Sequence, residues 1–253
     1  MLSILVMVPF MFVGFDVIPQ SAEEIDLPFA AIGQLLVVSI LLAILWYALV
    51  IGAVAIALPE SGRAISVLPT ADAAAALFNG SWAGKLLVIG GVAGILTSWN
   101  AFLIGGSRAL YALAKAGQVP RTFAALHPRY RTPHHAILLV GGLAVFAPLF
   151  GRPAMVWLVD AGGLGIVTAY AMVALSFLVL RAKEPDMERP YRVRNGKLVG
   201  YLAFVLSLAL ASLYLPWSPA ALVWPHEWII VIGWCVLGAL FQWFSSIRSR
   251  AEP

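Results

Sequence analysis

Cysteine is nearly absent from this chain and charge is scarce, and each shortage removes a class of function. The single thiol, Cys235, rules out a disulfide within the chain and any thiolate metal site. Inside a membrane helix such a cysteine is ordinary packing. Charged residues make up 11% of the chain against 62% hydrophobic, with a mean hydropathy of +0.93. That balance excludes a soluble domain and identifies an integral membrane protein.

Other absences narrow the field. The last apolar run, from Trp228 to Phe244, contains no lysine, so a retinal Schiff base is excluded there. No histidine lies at the centre of an apolar run, and Asp16 and Asp160 each stand alone in theirs, which leaves no constellation for a membrane-embedded enzyme. His127, His134 and His135 lack acids or cysteine at ligand spacing, so no metal and no cofactor is expected. The first run has no basic n-region or small-residue cleavage site and is read as a crossing, not a signal peptide.

What is present is a series of long apolar runs. Seven crossings are expected, at about 2–24, 32–58, 85–114, 135–150, 154–181, 198–217 and 228–246, forming a single transmembrane domain over 1–253. Each can cross about 30 Å of hydrocarbon, the fourth with help from flanking residues. The formal charge of +4 reads as topology and needs no nucleic-acid partner. Thirteen of the basic residues, from Arg108 to Arg131, Arg181 to Lys197 and at Arg248 and Arg250, fall on one set of loops. Only Arg63, Lys85 and Arg152 fall on the other. By the positive-inside rule the chain begins outside and ends in the cytoplasm of the plasma (inner) membrane. The loop from Pro59 to Gly84 offers a short interfacial helix at Ala71 to Phe78, and Arg108 to His135 reads as short helices on the inner face. Trp217, Trp224 and Trp228 fit an aromatic belt at the outer edge. Ala161-Gly162-Gly163-Leu164 weakens the fifth crossing and lets a neighbour approach closely.

The first crossing holds a carboxylate, Asp16, beside Gly14 and between Pro9 and Pro19, with Glu23 and Glu24 a turn or two later. An acid at bilayer depth costs about 2.5–3.5 kcal/mol on insertion scales. This pattern predicts a helix broken near mid-membrane, and broken membrane helices are binding sites because lipid cannot satisfy their exposed backbone groups. Asp16 is either a proton carrier, a bond acceptor for nearby amides, or a cap of the inner half-helix.

Three stretches together resemble the amino acid, polyamine and organocation (APC) superfamily of transporters. They are PFMFVGFDVIPQSAEEIDLP from Pro9 to Pro28, GGVAGILTSWNAFLIGGSRALYALAKAGQVP from Gly90 to Pro120, and FAALHPRYRTP from Phe123 to Pro133. The first is similar to that family's discontinuous sixth helix, the second to its eighth helix and inner loop. Arg108, Tyr111, Ala112, Lys115, Gly117 and Pro120 match the family's inner-loop pattern, while Ala116 stands where an acid is common.

The resemblance implies an all-α polytopic LeuT/APC-type inverted-repeat fold, with the second repeat plus two extra helices, family helices six to twelve. Helices one to five would come from elsewhere, and without them the chain holds only part of the pocket. It also implies an amino acid or related amine as substrate, moved by alternating access with a proton or sodium ion as coupling partner. Phe10, Phe12, Val13, Gly14, Phe15 and Asp16, with Asn100 and Phe102, are its substrate-binding candidates. Thr97 and Ser98 are ion-coupling candidates, unless their hydroxyls bond back to their own helix. Gate candidates are Glu23, Glu24, Arg108 and Asp160.

Overall fold

The computed structural model describes residues 2–22 and 25–251, with side chains over 5–22 and 25–243, and contains no strand among them. The chain divides into two compact units. One joins the segment ending at Val13 to the segment beginning at Gly105, and the other is Gly14–Ile104.

In the Gly14–Ile104 unit, a short helix α2 (Val17–Gln20) precedes the long α3 (Phe29–Ala57). The 29 residues of α3 carry no charge, so the helix is apolar around its whole circumference, as a lipid-embedded helix should be. It stops where Pro59 forces Leu58 into extended backbone. Arg63, on α4 (Glu60–Ile65), closes that end by donating from Nη1 to the carbonyls of Ala55 and Leu58, at 3.0 and 2.8 Å. Helix α5 (Pro69–Leu77) begins on a proline, whose fixed φ suits a first turn. The Ser66 hydroxyl donates to Asp72 in that turn.

Helix α6 (Ser81–Lys115) starts against α5, where Gly84 meets the Ala71 carbonyl. A Cβ on Gly84 would lie 2.8 Å from that oxygen. Gly84→Ala is therefore expected to cost about 1–2 kcal/mol through overpacking, measurable as a lower midpoint of thermal unfolding in detergent. Gly90→Ala, at a position with nothing within 4 Å, should not show it.

The helix runs past Arg108 to Lys115. Ala109 to Lys115 are strong helix formers and carry it on to Gly117, whose φ of 74° makes a left-handed C-cap. Gln118 N–H donates to the Leu113 carbonyl at 2.9 Å, closing that cap. The remainder of the expected inner helices reduces to one 3-10 turn at Arg121–Ala124 and a tight loop held by His127 N–H to Thr132 and Arg131 N–H to His127, both at 2.8 Å. The helices of the outer loop also differ from the single Ala71–Phe78 expected, since α4 precedes α5.

In the other unit, α1 (Leu2–Phe12) packs on α8 (Gly151–Lys183), which also packs against α9 (Gly196–Ser212) and α10 (His226–Ala251). Helix α7 (His134–Phe146) continues into a 3-10 turn, Ala147–Phe150, and Gly151 with φ 79° separates it from α8. The fourth and fifth expected crossings are thus one 50-residue apolar stretch, His134–Lys183, broken at that turn. Phe29–Ala57, Ser81–Lys115 and His226–Trp243 are also long and apolar enough to cross a membrane, while Leu5–Gln20 and Gly196–Ser212 are shorter apolar helices.

Because lipid gives no hydrophobic drive for helix association, close packing and buried hydrogen bonds hold these helices together. Gly200 admits Phe177 and Leu178 of α8, and Gly163 admits Tyr214 at the end of α9. Tyr214 is fully buried among Val6, Val167 and Leu222. Its hydroxyl donates to the Val6 carbonyl at 2.7 Å, fastening α1 to the rest of the unit. Trp228 packs against this cluster, unlike Trp217 and Trp224, which stay exposed, so only the latter two fit the open aromatic belt expected of all three.

Candidate functional site

The interruption of the first crossing falls at Val13–Asp16, between the end of α1 and the start of α2. Pro9 removes one backbone donor within α1, and Gly14 takes φ 129°, a region that side chains with a Cβ rarely enter. The helical ladder gives way to tighter bonds, Val13 N–H to Phe10, Val17 N–H to Gly14 and Ile18 N–H to Phe15, all at 3.2 Å. Val17 N–H, which would reach the Val13 carbonyl in a regular helix, is thereby diverted. No donor among the described residues takes its place at that carbonyl. The end of α1 thus presents an open acceptor at the negative pole of a helix.

Asp16 resolves one of its three sequence alternatives in this geometry. Its Oδ1 accepts the Gly14 N–H at 2.8 Å, and it makes no side-chain cap to α2. The bond runs backward into the unwound segment, so capping of the inner half-helix is not what the carboxylate does. A hydrogen bond from an amide to an ionised carboxylate is among the stronger ones, about 1.5–3 kcal/mol.

The other candidates are placed as follows. Phe10 is exposed, while Phe12, Val13, Gly14, Phe15 and Asp16 are half-buried. Thr97, Ser98, Asn100 and Phe102 on α6 are all exposed, as is every residue from Lys85 to Asn100. The Thr97 hydroxyl donates to the Gly94 carbonyl at 2.8 Å and lies 3.3 Å from that of Ala93. That is bonding back to its own helix, yet its lone pairs remain available to a cation. Arg108 is half-buried beside the fully buried Ser107. Asp160 sits on α8 one turn before Gly163, close enough for its charge to act on Tyr214 and on Glu227. Glu23 and Glu24 lie outside the described residues.

Two buried polar residues were not anticipated from the sequence. Tyr214 carries the tie to α1, and the neighbouring glycine pair Gly162-Gly163 was its only advance sign. Glu227, 2% exposed, accepts the Val223 N–H at 2.6 Å and so closes the first turn of α10. An acid in the first turn of a membrane helix is the signal that would have found it.

Comparison with known proteins agrees with this architecture. The family model described as amino acid permease matches residues 1–246. The branched-chain amino acid permease BcaP of Bacillus subtilis (strain 168) is 26% identical over 79% of this chain and 43% of its own length. Cationic amino acid transporter 4 of Mus musculus is 34% identical over 67% of this chain and 26% of its own length. The aspartate-proton symporter of Bacillus subtilis (strain 168) is 26% identical over 79% and 40%. The chain spans less than half the length of each of these relatives. With its all-helical apolar architecture and this family match, the chain is an integral, multi-pass membrane protein that belongs to the amino acid permease family.

Proposed function

We propose that this chain forms the second part of a secondary active transporter for amino acids or related amines, working by alternating access around a site at the interrupted first helix. The observation that carries the reading is the open Val13 carbonyl beside Gly14 and the Asp16–Gly14 bond. A substrate ammonium is a donor suited to that acceptor, at the helix pole that favours positive charge. Phe10 or Phe12 supplies an aromatic face over the ammonium, worth about 0.5–2 kcal/mol as a cation-π contact. Gly14 and Phe15 furnish the unwound backbone. The family resemblance further proposes Asn100 and Phe102 as substrate-binding residues, and Arg108, Asp160, Glu23 and Glu24 as gate residues.

Coupling is to a proton or a sodium ion, with Thr97 and Ser98 as hydroxyl ligands in the sodium case, since hard oxygen donors suit a hard cation. The distribution of basic residues supports an outer N-terminus and a cytoplasmic C-terminus in the plasma membrane. The relatives' greater length supports five further helices, preceding these in the working transporter, that complete the pocket.

Uptake of labelled amino acids into proteoliposomes tests this directly. Saturable uptake is expected when the chain is reconstituted with a five-helix partner, and little or none from the chain alone. Saturable uptake in neither preparation would defeat the transport reading.

A further inference from the structure

The segment joining α8 to α9 carries six cations, Arg181, Lys183, Arg189, Arg192, Arg194 and Lys197, and three acids, Glu184, Asp186 and Glu188. One of the six occupies an unusual position. The Arg181 guanidinium lies flat on Gly196, the buried first residue of α9, so closely that a Cβ there would overlap its carbon and nitrogens. The same group lies over the Phe177 ring, 4.5 Å from the centroid. Its Nε is fully buried with no hydrogen-bond partner, and no ion pair reaches the group among the described residues.

Arg189 behaves differently. It donates to the carbonyls of Glu184, Pro185 and Met187 at 2.6, 3.0 and 2.9 Å, so its charge is engaged by its own loop.

Arg181 lies in the last turn of α8, at the negative pole of its own helix, but on the α9 side its surroundings are positive. The first amides of a helix have no intrahelical acceptor and form the positive pole of its dipole. Asn195, at the cap of α9, is left-handed and offers them no side-chain bond. Arg194 and Lys197 flank Gly196 in sequence and are exposed. A half-buried guanidinium with an unpaired Nε, set against a helix N-terminus whose first residues are flanked in sequence by two further cations, is a ready partner for an anion. The apolar run of α8 ends at Leu180 and that of α9 begins at Leu198, which sets this cluster at headgroup depth. Leu198, Tyr201 and Leu202, exposed on the first turns of α9, give an acyl chain an apolar path that a free phosphate would not use.

We propose that Arg181, Arg194, Lys197 and the first amides of α9 bind the phosphate of an anionic phospholipid. A guanidinium is suited to two parallel bonds with phosphate oxygens, and the amides of a helix N-terminus complete the cradle. Each juxtamembrane cation should contribute about fivefold to retention.

The test is native mass spectrometry of the purified chain from mixed micelles, with phosphatidylglycerol and phosphatidylcholine as probes. Preferential retention of phosphatidylglycerol is expected, about fivefold lower in Arg181→Gln and lower again in Arg194→Gln/Lys197→Gln, while Arg189→Gln stays at the level of the unmodified chain. The exposed pair keeps the test valid if Arg181→Gln misfolds. Equal retention of the two lipids overturns the proposal. So does full retention in the Arg194→Gln/Lys197→Gln variant, or displacement of phosphatidylglycerol by millimolar inorganic phosphate, which would identify a free-anion site.

Discussion

Gly163→Ala is expected to destabilise the protein by about 1–3 kcal/mol, whereas Gly162→Ala, one residue away on the same helix, is expected to be neutral or stabilising. A Cβ on Gly163 would overlap the Tyr214 hydroxyl, while one on Gly162 has nothing within 4 Å. Tyr214 cannot retreat without cost, because it is fully buried and its hydroxyl is committed to the Val6 carbonyl at 2.7 Å. Moving the ring leaves a buried hydroxyl unsatisfied, which costs about 1–3 kcal/mol. At Gly162 the only change is the ordinary gain of about 0.5–1 kcal/mol from removing glycine's freedom within a helix.

The mechanism has a signature that separates it from general damage. Tyr214→Phe keeps the ring and removes the oxygen that the new methyl strikes, so Gly163→Ala should cost markedly less in the Tyr214→Phe background than alone. A double-mutant cycle by thermal unfolding in detergent reads that coupling. Strict additivity would mean that Gly163 and Tyr214 do not meet as described. Loss of the Val6 bond should also loosen α1, so spin labels at Met7 and Val156 are expected to give a broader distance distribution in Tyr214→Phe than in the unmodified chain.

What could be read from the sequence was whatever a local pattern encodes. Two prolines, a glycine and an acid within one apolar run specify an interrupted helix, because each acts on its own backbone or its neighbour's; the break at Val13–Asp16 accordingly lies where that pattern predicts it. The glycine pair in α8 likewise signalled close approach without naming the partner. Tyr214 was hidden because its bond joins residues 208 positions apart, and a lone tyrosine after an apolar run looks like interfacial anchoring. Helix α6 passes Arg108 because the residues that follow have high helix propensity, and it stops at the left-handed Gly117. Pattern also could not choose among the roles of Asp16, since a carboxylate that caps forward and one that bonds backward occupy the same position in the chain; the Gly14 N–H at 2.8 Å decides between them.

That bond leads to the second large effect. On the proposed transport reading, and with the chain reconstituted together with its five-helix partner, Gly14→Val is expected to reduce saturable amino acid uptake by tenfold or more while leaving membrane insertion intact. At φ 129° the residue occupies backbone that a β-branched side chain cannot adopt without strain, although open space surrounds the position. The strain, about 1–3 kcal/mol, is relieved by rewinding or shifting the segment that offers the Val13 carbonyl. One pKa-sized step of 1.36 kcal/mol is tenfold in rate or affinity, so the loss falls on transport. Asp16 refines the test. If the carboxylate acts by accepting the Gly14 N–H, Asp16→Asn retains an amide oxygen for that bond and should keep uptake within a few-fold, while Asp16→Ala loses about tenfold to a hundredfold. If instead Asp16 carries the coupled proton, Asn and Ala fail alike, and uptake driven by a proton gradient disappears in both. Comparing the two variants under an imposed gradient and in its absence distinguishes a structural carboxylate from a proton carrier at the same residue.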